Sequence, residues 1–354
     1  MEYRTLGRSG LKVSALALGT FTFGGRGPFG MLADQGVPEA RALVDLALEH
    51  GVNLIDTANM YSLGLSEEIL GEVIEGRREN LVIASKARMP IGPGPNDQGS
   101  SRMHLLRECE RSLKRLRTDR IDVYHLHEWD GTTPVEETCE AMDTLVRHGK
   151  VRYWGFSNFS GWQSMKLINA AERLGTIRPV TQQIHYTLEA REAEYELLPL
   201  SVDQGIGVTV WSPLAAGLLT GKHRRDQPVS KGSRQAKGWT EPPIRDQARL
   251  WRIVDVLIEV AEGRGIPVPQ VALAWLLGRP AIASLIVGAR NPDQLLETLG
   301  AADLTLTPEE RGRLDDASRP PLIYPHWHQN QFAKPSFSAA DWALHLGQPE
   351  APWG

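Results

Sequence analysis

The chain has 354 residues, 41% hydrophobic and 23% charged, a balance that excludes an intrinsically disordered chain. With 39 Lys and Arg against 43 Asp and Glu the net charge is −4, which gives no sign of a nucleic-acid or anionic-membrane partner. Two cysteines exclude a disulfide framework, no apolar run is long enough to insert in a membrane, and the first residues lack a signal-peptide core, so a cytoplasmic setting is expected.

In chain order, the first expected element is a hairpin, with extended runs Glu2–Thr5 and Leu11–Val13 around the turn Gly7–Gly10. Eight short apolar runs follow: Ala15–Leu18, Asn53–Ile55, Leu81–Ser85, Ile121–Leu126, Arg152–Phe156, Val180–Ile184, Gly207–Trp211 and Ser284–Val287. Helical spacing fills the intervals at Pro38–His50, Ser66–Ile74, Ser101–Leu116, Pro134–Arg147 and Ser160–Leu174. Gly51 suits the C-terminal cap of the first helix, and Ser66 is a candidate cap for the second. Strand–helix alternation with nearly continuous apolar strands predicts a parallel sheet buried on both faces. Eight units fit an α/β fold closed as a (β/α)8 TIM barrel better than an open doubly wound sheet.

At about 150 residues per domain the length suggests two domains. The barrel reading takes residues 1–354 as one domain, with residues 1–13 as a hairpin capping its N-terminal end. Residues 212–249 form a long polar loop after strand seven carrying Lys222, Arg224, Arg225, Lys231, Arg234 and Lys237, a length typical of lids and binding loops. The tail, residues 320–354, carries Tyr324, Trp327, Phe332, Phe337, Trp342 and Trp353, so it is expected to dock on the body.

Barrel enzymes gather their chemistry at the C-terminal strand ends. There the sequence places Asp56, with Tyr61 in the following loop, then Lys86, His127, Ser157-Asn158, Gln183 and Trp211-Ser212. Asp, Lys, Tyr and His on one mouth make a proton-transfer set. A cation beside a phenol favours the phenolate, so Lys86 held by Asp56 is expected to lower the Tyr61 pKa toward working pH. Tyr61 is then a general acid for a carbonyl or alcohol, and His127 orients the substrate oxygen. Each residue alone has an ordinary explanation: Asp56 as a turn cap, Lys86 as surface, Tyr61 as packing. Val123, His125 and His127 share a strand face, so one histidine can be a hydrogen-bonded core residue. The combination at successive strand ends carries the argument.

With these residues in place, the chain resembles the aldo-keto reductases from about Tyr3 to Leu299. The matching pieces are Leu18-Gly-Thr20, Leu54-Ile-Asp56-Thr-Ala58 with Tyr61, Ser85-Lys86, Tyr124-His-Leu-His127, Gly149 to Phe159, Gln183-Ile-His-Tyr186, Trp211-Ser-Pro-Leu214, and Gly288-Ala-Arg290 with Gln294 and Glu297. Trp211-Ser-Pro-Leu-Ala215, Gly221-Lys222, Ser233-Arg234 and Lys237-Gly238 are especially similar to the subgroup that includes potassium-channel β subunits and related bacterial reductases.

The resemblance implies a nicotinamide-dependent oxidoreductase reducing an aldehyde or ketone reversibly, with Tyr61 as general acid, Lys86 and Asp56 as its tuning pair and His127 as the orienting residue. It implies that Ser157, Asn158 and Gln183 hold the carboxamide and that Trp211 stacks on the nicotinamide, and Thr20 and Phe21 count among the cofactor-binding residues. Ser212, Leu214, Gly217, Thr220 and Lys222 fall in the pyrophosphate loop, and Arg234 closes over the phosphates. Gly288, Arg290, Gln294 and Glu297 fall at the adenosine end. Two departures are visible: Trp211 stands where many relatives carry Tyr, and Thr298 follows Glu297 where many carry Asn. Arg290 can grip a 2′-phosphate bidentately, which favours NADPH over NADH, or simply stack on adenine.

Phe21, Trp129, Tyr324 and Trp327 are the expected substrate-pocket residues, and the partner is a small carbonyl or alcohol. Oligomeric state is not legible, and a homo-oligomer is compatible with everything above. Two rival functions fit parts of the same sequence. One is a cofactor-binding regulatory subunit with weak turnover. The other is a metal-dependent barrel hydrolase built on His125-Leu-His127-Glu-Trp-Asp130 and His185, which the reductase reading replaces with no metal. The literal G-x-G-x-x-G at Gly25–Gly30 is interrupted by Pro28 and lacks the helix a dinucleotide fingerprint needs.

Overall fold

A computed structural model describes residues 1–27, 30–225, 227–228 and 233–345. The hairpin is present as antiparallel β1 (Tyr3–Thr5) and β2 (Lys12–Ser14). Eight parallel strands then close a barrel: β3 (Leu16–Gly19), β4 (Leu54–Asp56), β5 (Val82–Ala87), β6 (Ile121–Leu126), β7 (Val151–Ser157), β8 (Thr181–His185), β9 (Gly207–Trp211) and β10 (Ile282–Val287). Neighbours in sequence are neighbours in the sheet, and β10 pairs with β3 to remove both edges. The TIM-barrel expectation holds, with strand limits displaced by one or two residues. Helices such as Val37–Glu49, Arg102–Arg115, Val135–Arg147 and Gly161–Leu174 cover the outside. No helix among the described residues is long and apolar enough to cross a membrane.

Two apolar layers follow from period-two alternation. Residues such as Leu18, Ile55, Ile83, Tyr124, Trp154 and Leu285 meet the helices in the main core. Leu54, Val82, Ala84 and Val123 fill the lower bore, and Leu6 and Val13 of the hairpin plug it. The hairpin turn seats so closely on β8 and β9 that a Cβ on Gly7 would lie 2.3 Å from the Val180 carbonyl oxygen and 2.6 Å from the Gly207 nitrogen. Gly7 also has φ +59°, so both the approach and the backbone require glycine. With the bottom sealed, the inward residues one step higher, Asp56, Lys86, His125 and Gln183, start the polar upper bore.

Several expectations change. Ser66 does not cap its helix: the helix starts at Leu65 with Gly64 as N-cap. The Ser66 hydroxyl instead donates to the Thr20 carbonyl at 2.9 Å, tying that helix to the end of β3. The tail does dock, but through Ala343, Leu344 and His345, buried where the last helix packs on Leu197–Gln204. Tyr324, Trp327, Phe332 and Trp342 remain exposed; Tyr195 holds the start of the tail by donating to the Pro321 carbonyl and stacking on His326. Trp353 and Lys231, and Pro28 within the glycine motif, lie outside the described residues.

His125 is packed in the bore with no hydrogen-bond partner for either ring nitrogen among the described residues, so it is a core histidine without the hydrogen bond expected of one. Burial first, and then the Lys86 charge, push its pKa down to about 3. Burial likewise lowers His104 and His127. The folded chain therefore resists protonation that the unfolded chain accepts below about pH 6.5. Stability is complete above that pH and falls as the pH drops toward the folded value. His125 alone corresponds to about 2 kcal/mol lost at pH 5. Urea midpoints between pH 7.5 and 5 check this: His125→Gln should flatten the slope, and an unchanged slope excludes His125 as a source.

Candidate active site

The C-terminal mouth of the barrel holds two joined cavities of about 270 and 290 Å³. They share Thr22, Ser212, Arg234, Ile286 and Gly288, so they form one elongated groove. The first half contains Asp56, Tyr61 and His127 in its lining, and the second runs over β9 and β10 to Arg290.

Lys86 is fully buried beneath the first half. Its Nζ donates to Asp56 Oδ1 at 2.5 Å, to the Thr57 carbonyl at 2.8 Å and to the Tyr61 hydroxyl at 3.4 Å. Gln183 Nε2 donates to the other Asp56 oxygen at 2.8 Å. The ammonium thus has its three donors committed and the carboxylate is held from two sides. Burial works against the Lys86 charge, but Asp56 and Tyr61 outweigh it and raise its pKa. Lys86 is a cation at any physiological pH.

Tyr61 departs from expectation. Burial is the largest influence on it and exceeds the opposing pull of Lys86, so its pKa is raised above that of an ordinary phenol. The hydroxyl is a proton donor at rest, not a resident phenolate. The ring is fixed edge-on by Phe21 at 5.3 Å and by His127 at 5.8 Å. Burial, and then Lys86, hold His127 well below the ordinary imidazole range. A neutral imidazole therefore faces the same cavity as the phenol.

A lattice of hydrogen bonds sets the floor beside them. Asn158, at φ +60°, donates to the His127 carbonyl at 3.1 Å and accepts from Trp211 Nε1 at 3.0 Å. The indole of Trp211 is thereby locked, with His185 packed 4.5 Å away. Ser157 donates to the Gln183 carbonyl at 2.9 Å. Among the described residues, lone-pair capacity on Ser157 Oγ and Gln183 Oε1 and the second N–H of Asn158 are not taken up by the bonds above. Two acceptors and a donor match a primary carboxamide, so these residues fit a nicotinamide amide beside a flat indole.

The second half fits a phosphorylated group. Ser212, Ala215, Ala216 and Gly217 all have positive φ, a run of left-handed backbone after β9. Successive turns of this kind turn backbone N–H groups to one side and favour anions. Lys222 lines this stretch. Burial first, and then the neighbouring Arg290, lower the Arg234 pKa against the pull of Glu241.

All the residues expected at the cofactor line one half of the groove or the other: Thr20, Phe21, Ser157, Asn158, Gln183 and Trp211 in the first, Leu214, Gly217, Thr220, Lys222, Arg290, Gln294 and Glu297 in the second, and Ser212, Arg234 and Gly288 in both. The expected substrate residues divide. Phe21 lines the cavity, whereas Trp129 packs edge-on against Phe159 and Trp162. Tyr324 and Trp327 pack on each other in the exposed tail and do not line the groove.

Met89, from the loop Arg88–Asp97 expected to shape the pocket, lines the first half, and Met60, Glu128, Trp239 and Glu241 line it without having been expected. Trp239 is the one aromatic residue of segment 212–249, a signal that was available. Its strap reaches across the mouth, where Lys237 donates to the Met31 carbonyl at 2.8 Å. Asp130, weighed as a metal ligand, instead accepts from Ser100, Thr132 and Thr133 and clasps two loops together. Among the described residues no group of three or more His, Cys, Asp or Glu is placed to hold a metal ion.

Residues 15–319 match the Aldo/keto reductase family. The chain is 39% identical over 318 residues to an Arabidopsis thaliana protein named as a probable voltage-gated potassium channel subunit beta, covering 87% of this chain and 94% of the relative. It is 40% identical over 327 residues to the uncharacterized oxidoreductase YrpG of Bacillus subtilis (strain 168), covering 89% and 95%. A rice protein (Oryza sativa subsp. japonica) with the same potassium-channel description is 39% identical over 319 residues, covering 87% and 94%. The chain belongs to the aldo/keto reductase family and is an oxidoreductase of that barrel type.

Proposed function

We propose that this protein is an NADPH-dependent reductase of aldehydes or ketones, reversible toward alcohol oxidation, with Tyr61 as the general acid. The observation that carries the reading is the buried chain Asp56–Lys86–Tyr61, opening on a cavity that His127 also faces. When bound, a reduced nicotinamide supplies the hydride. The chain's own residues do the rest. Ser157, Asn158 and Gln183 would hold the carboxamide and Trp211 would flank the ring. His127, neutral, offers its N–H to the substrate oxygen and fixes its direction. Tyr61, protonated at neutral pH, gives its proton to that oxygen. The phenolate left behind faces Lys86, whose ammonium lowers the cost of the new charge in a site shielded from water. Solvent then returns the proton.

Absorbance loss at the nicotinamide band, with a carbonyl panel and NADPH or NADH in parallel, tests the reading. Turnover with NADPH supports it. Cofactor binding without oxidation by any carbonyl favours a regulatory role. The coenzyme preference rests on Arg290 at the far end of the groove. Charge-assisted pairing to a phosphate is worth about 1.5–3 kcal/mol, so Arg290→Ala should weaken NADPH binding by roughly 10- to 100-fold and NADH far less. Equal losses for the two coenzymes, measured by fluorescence titration, would mean that Arg290 only stacks on adenine.

A further inference from the structure

We infer that the substrate half of the groove selects uncharged, hydroxylated carbonyl compounds and turns away carbonyls that carry a carboxylate. The inference rests on the reductase reading and concerns what its pocket admits. The carboxylate side chains facing this half beyond Asp56 are Glu128, directly after His127, and Glu241, on the strap that crosses the mouth. Asp56 is committed to Lys86 and Gln183. Lys86 lies beneath Tyr61, paired to Asp56, so it does not present a free cation to the substrate. Among the described residues Arg234 is the one cation in the lining; it lies over the Phe21 ring at 5.6 Å, where Glu241 offsets its charge, and it also lines the second half beside Arg290. Arg88, whose charge reaches Glu128, is not part of the lining.

Opposite the polar floor of Ser157, Asn158 and Gln183, the lining adds flat and apolar side chains. Phe21 and Trp239 lie 6.4 Å apart at the mouth, with Met60 and Met89 nearby. A pocket of aromatic faces and carboxylate acceptors matches the C–H faces and O–H donors of a hydroxylated substrate. Glu128 already accepts from the Trp129 amide at 3.2 Å through Oε1, which fixes the carboxylate at the mouth and leaves lone pairs for a ligand hydroxyl. A substrate carboxylate would instead meet two like charges in a confined site. Juxtaposed like charges cost enough to set specificity.

Three para-substituted benzaldehydes of similar size, 4-methyl, 4-hydroxymethyl and 4-carboxy, test this with NADPH. The hydroxymethyl compound should exceed the carboxy compound by about tenfold or more in kcat/KM, mostly through KM, with the methyl compound between them. Glu128→Gln with Glu241→Gln removes both charges and keeps an acceptor at each position; the gap should shrink to about threefold or less. Because Glu241 lies in a surface strap, Glu241→Gln alone is the second variant, and part of the closure should appear there. Equal use of the carboxy and hydroxymethyl compounds by the unaltered protein overturns the inference and leaves the reductase reading standing. So does a gap that both variants leave unchanged. If none of the three aldehydes oxidises the coenzyme while a tight NADPH complex forms, the reductase reading fails and this inference with it.

Discussion

Replacing Tyr61 with Phe should lower kcat by roughly 10²- to 10⁴-fold, the usual contribution of a positioned proton donor. The substitution removes one oxygen and keeps the ring, so the edge contacts to Phe21 and His127 persist. NADPH affinity should stay within about threefold, because an interaction made only in the transition state leaves ground-state binding alone. Single-turnover absorbance with saturating coenzyme reads the chemical step, and fluorescence titration of NADPH reads the affinity. Wild-type turnover in the variant would exclude Tyr61 as the acid. The alkaline limb of the pH profile is equally informative. Because burial raises the Tyr61 pKa in the unliganded chain, carbonyl reduction should hold steady through neutral pH and fall only at alkaline pH, as the phenol loses its proton. Alcohol oxidation should show the opposite trend, since it needs the phenolate.

That direction for Tyr61 marks where sequence reasoning reached its limit. Proximity of a lysine and a tyrosine follows from strand order, because consecutive parallel strands deliver their ends to one mouth. The balance between a neighbouring charge and the loss of water around the phenol depends on how completely Phe21, His127 and the strap enclose it, and no spacing rule encodes that. The same division runs through the site. Asp56, Lys86, His127 and Gln183 were legible because inward positions alternate along short strands and the apolar lower bore gives way to polar residues above it. Glu128, Trp239 and Glu241 were not, because loops carry no periodicity and their approach to the cavity is set by tertiary contacts such as Lys237 with the loop after β3. The tail misled for a related reason. Aromatic content indicates adhesion, yet burial fell to Ala343 and Leu344 on one helix face, while Tyr324 and Trp327 stayed in solvent.

The Lys86–Asp56 pair offers the second large effect, and it acts on stability and chemistry together. Lys86 is completely enclosed and its ammonium is balanced by one carboxylate. Asp56→Asn keeps the shape and removes the charge, leaving a buried cation with the Thr57 carbonyl and the Tyr61 hydroxyl as neighbours. Breaking a buried pair from one side typically costs about 3–5 kcal/mol, so the variant should lose that order of stability at neutral pH, or shed the proton from Lys86 to avoid it. Lys86→Met leaves Asp56 supported by Gln183 Nε2, and should also deprive the phenolate of its cation. Turnover should therefore fall in both variants, further in Lys86→Met, where no cation remains beside Tyr61. Combining the two changes removes both charges at once. The double variant should be more stable than the sum of the single losses predicts, by about 0.5–3 kcal/mol, the range for residues in contact, yet no more active than Lys86→Met alone. Urea unfolding of the four proteins supplies the first comparison and steady-state turnover the second. Strict additivity in stability would show that the two charges are not coupled in the folded chain. Recovery of turnover in the double variant would show that the cation at Lys86 is not what the proton donor requires.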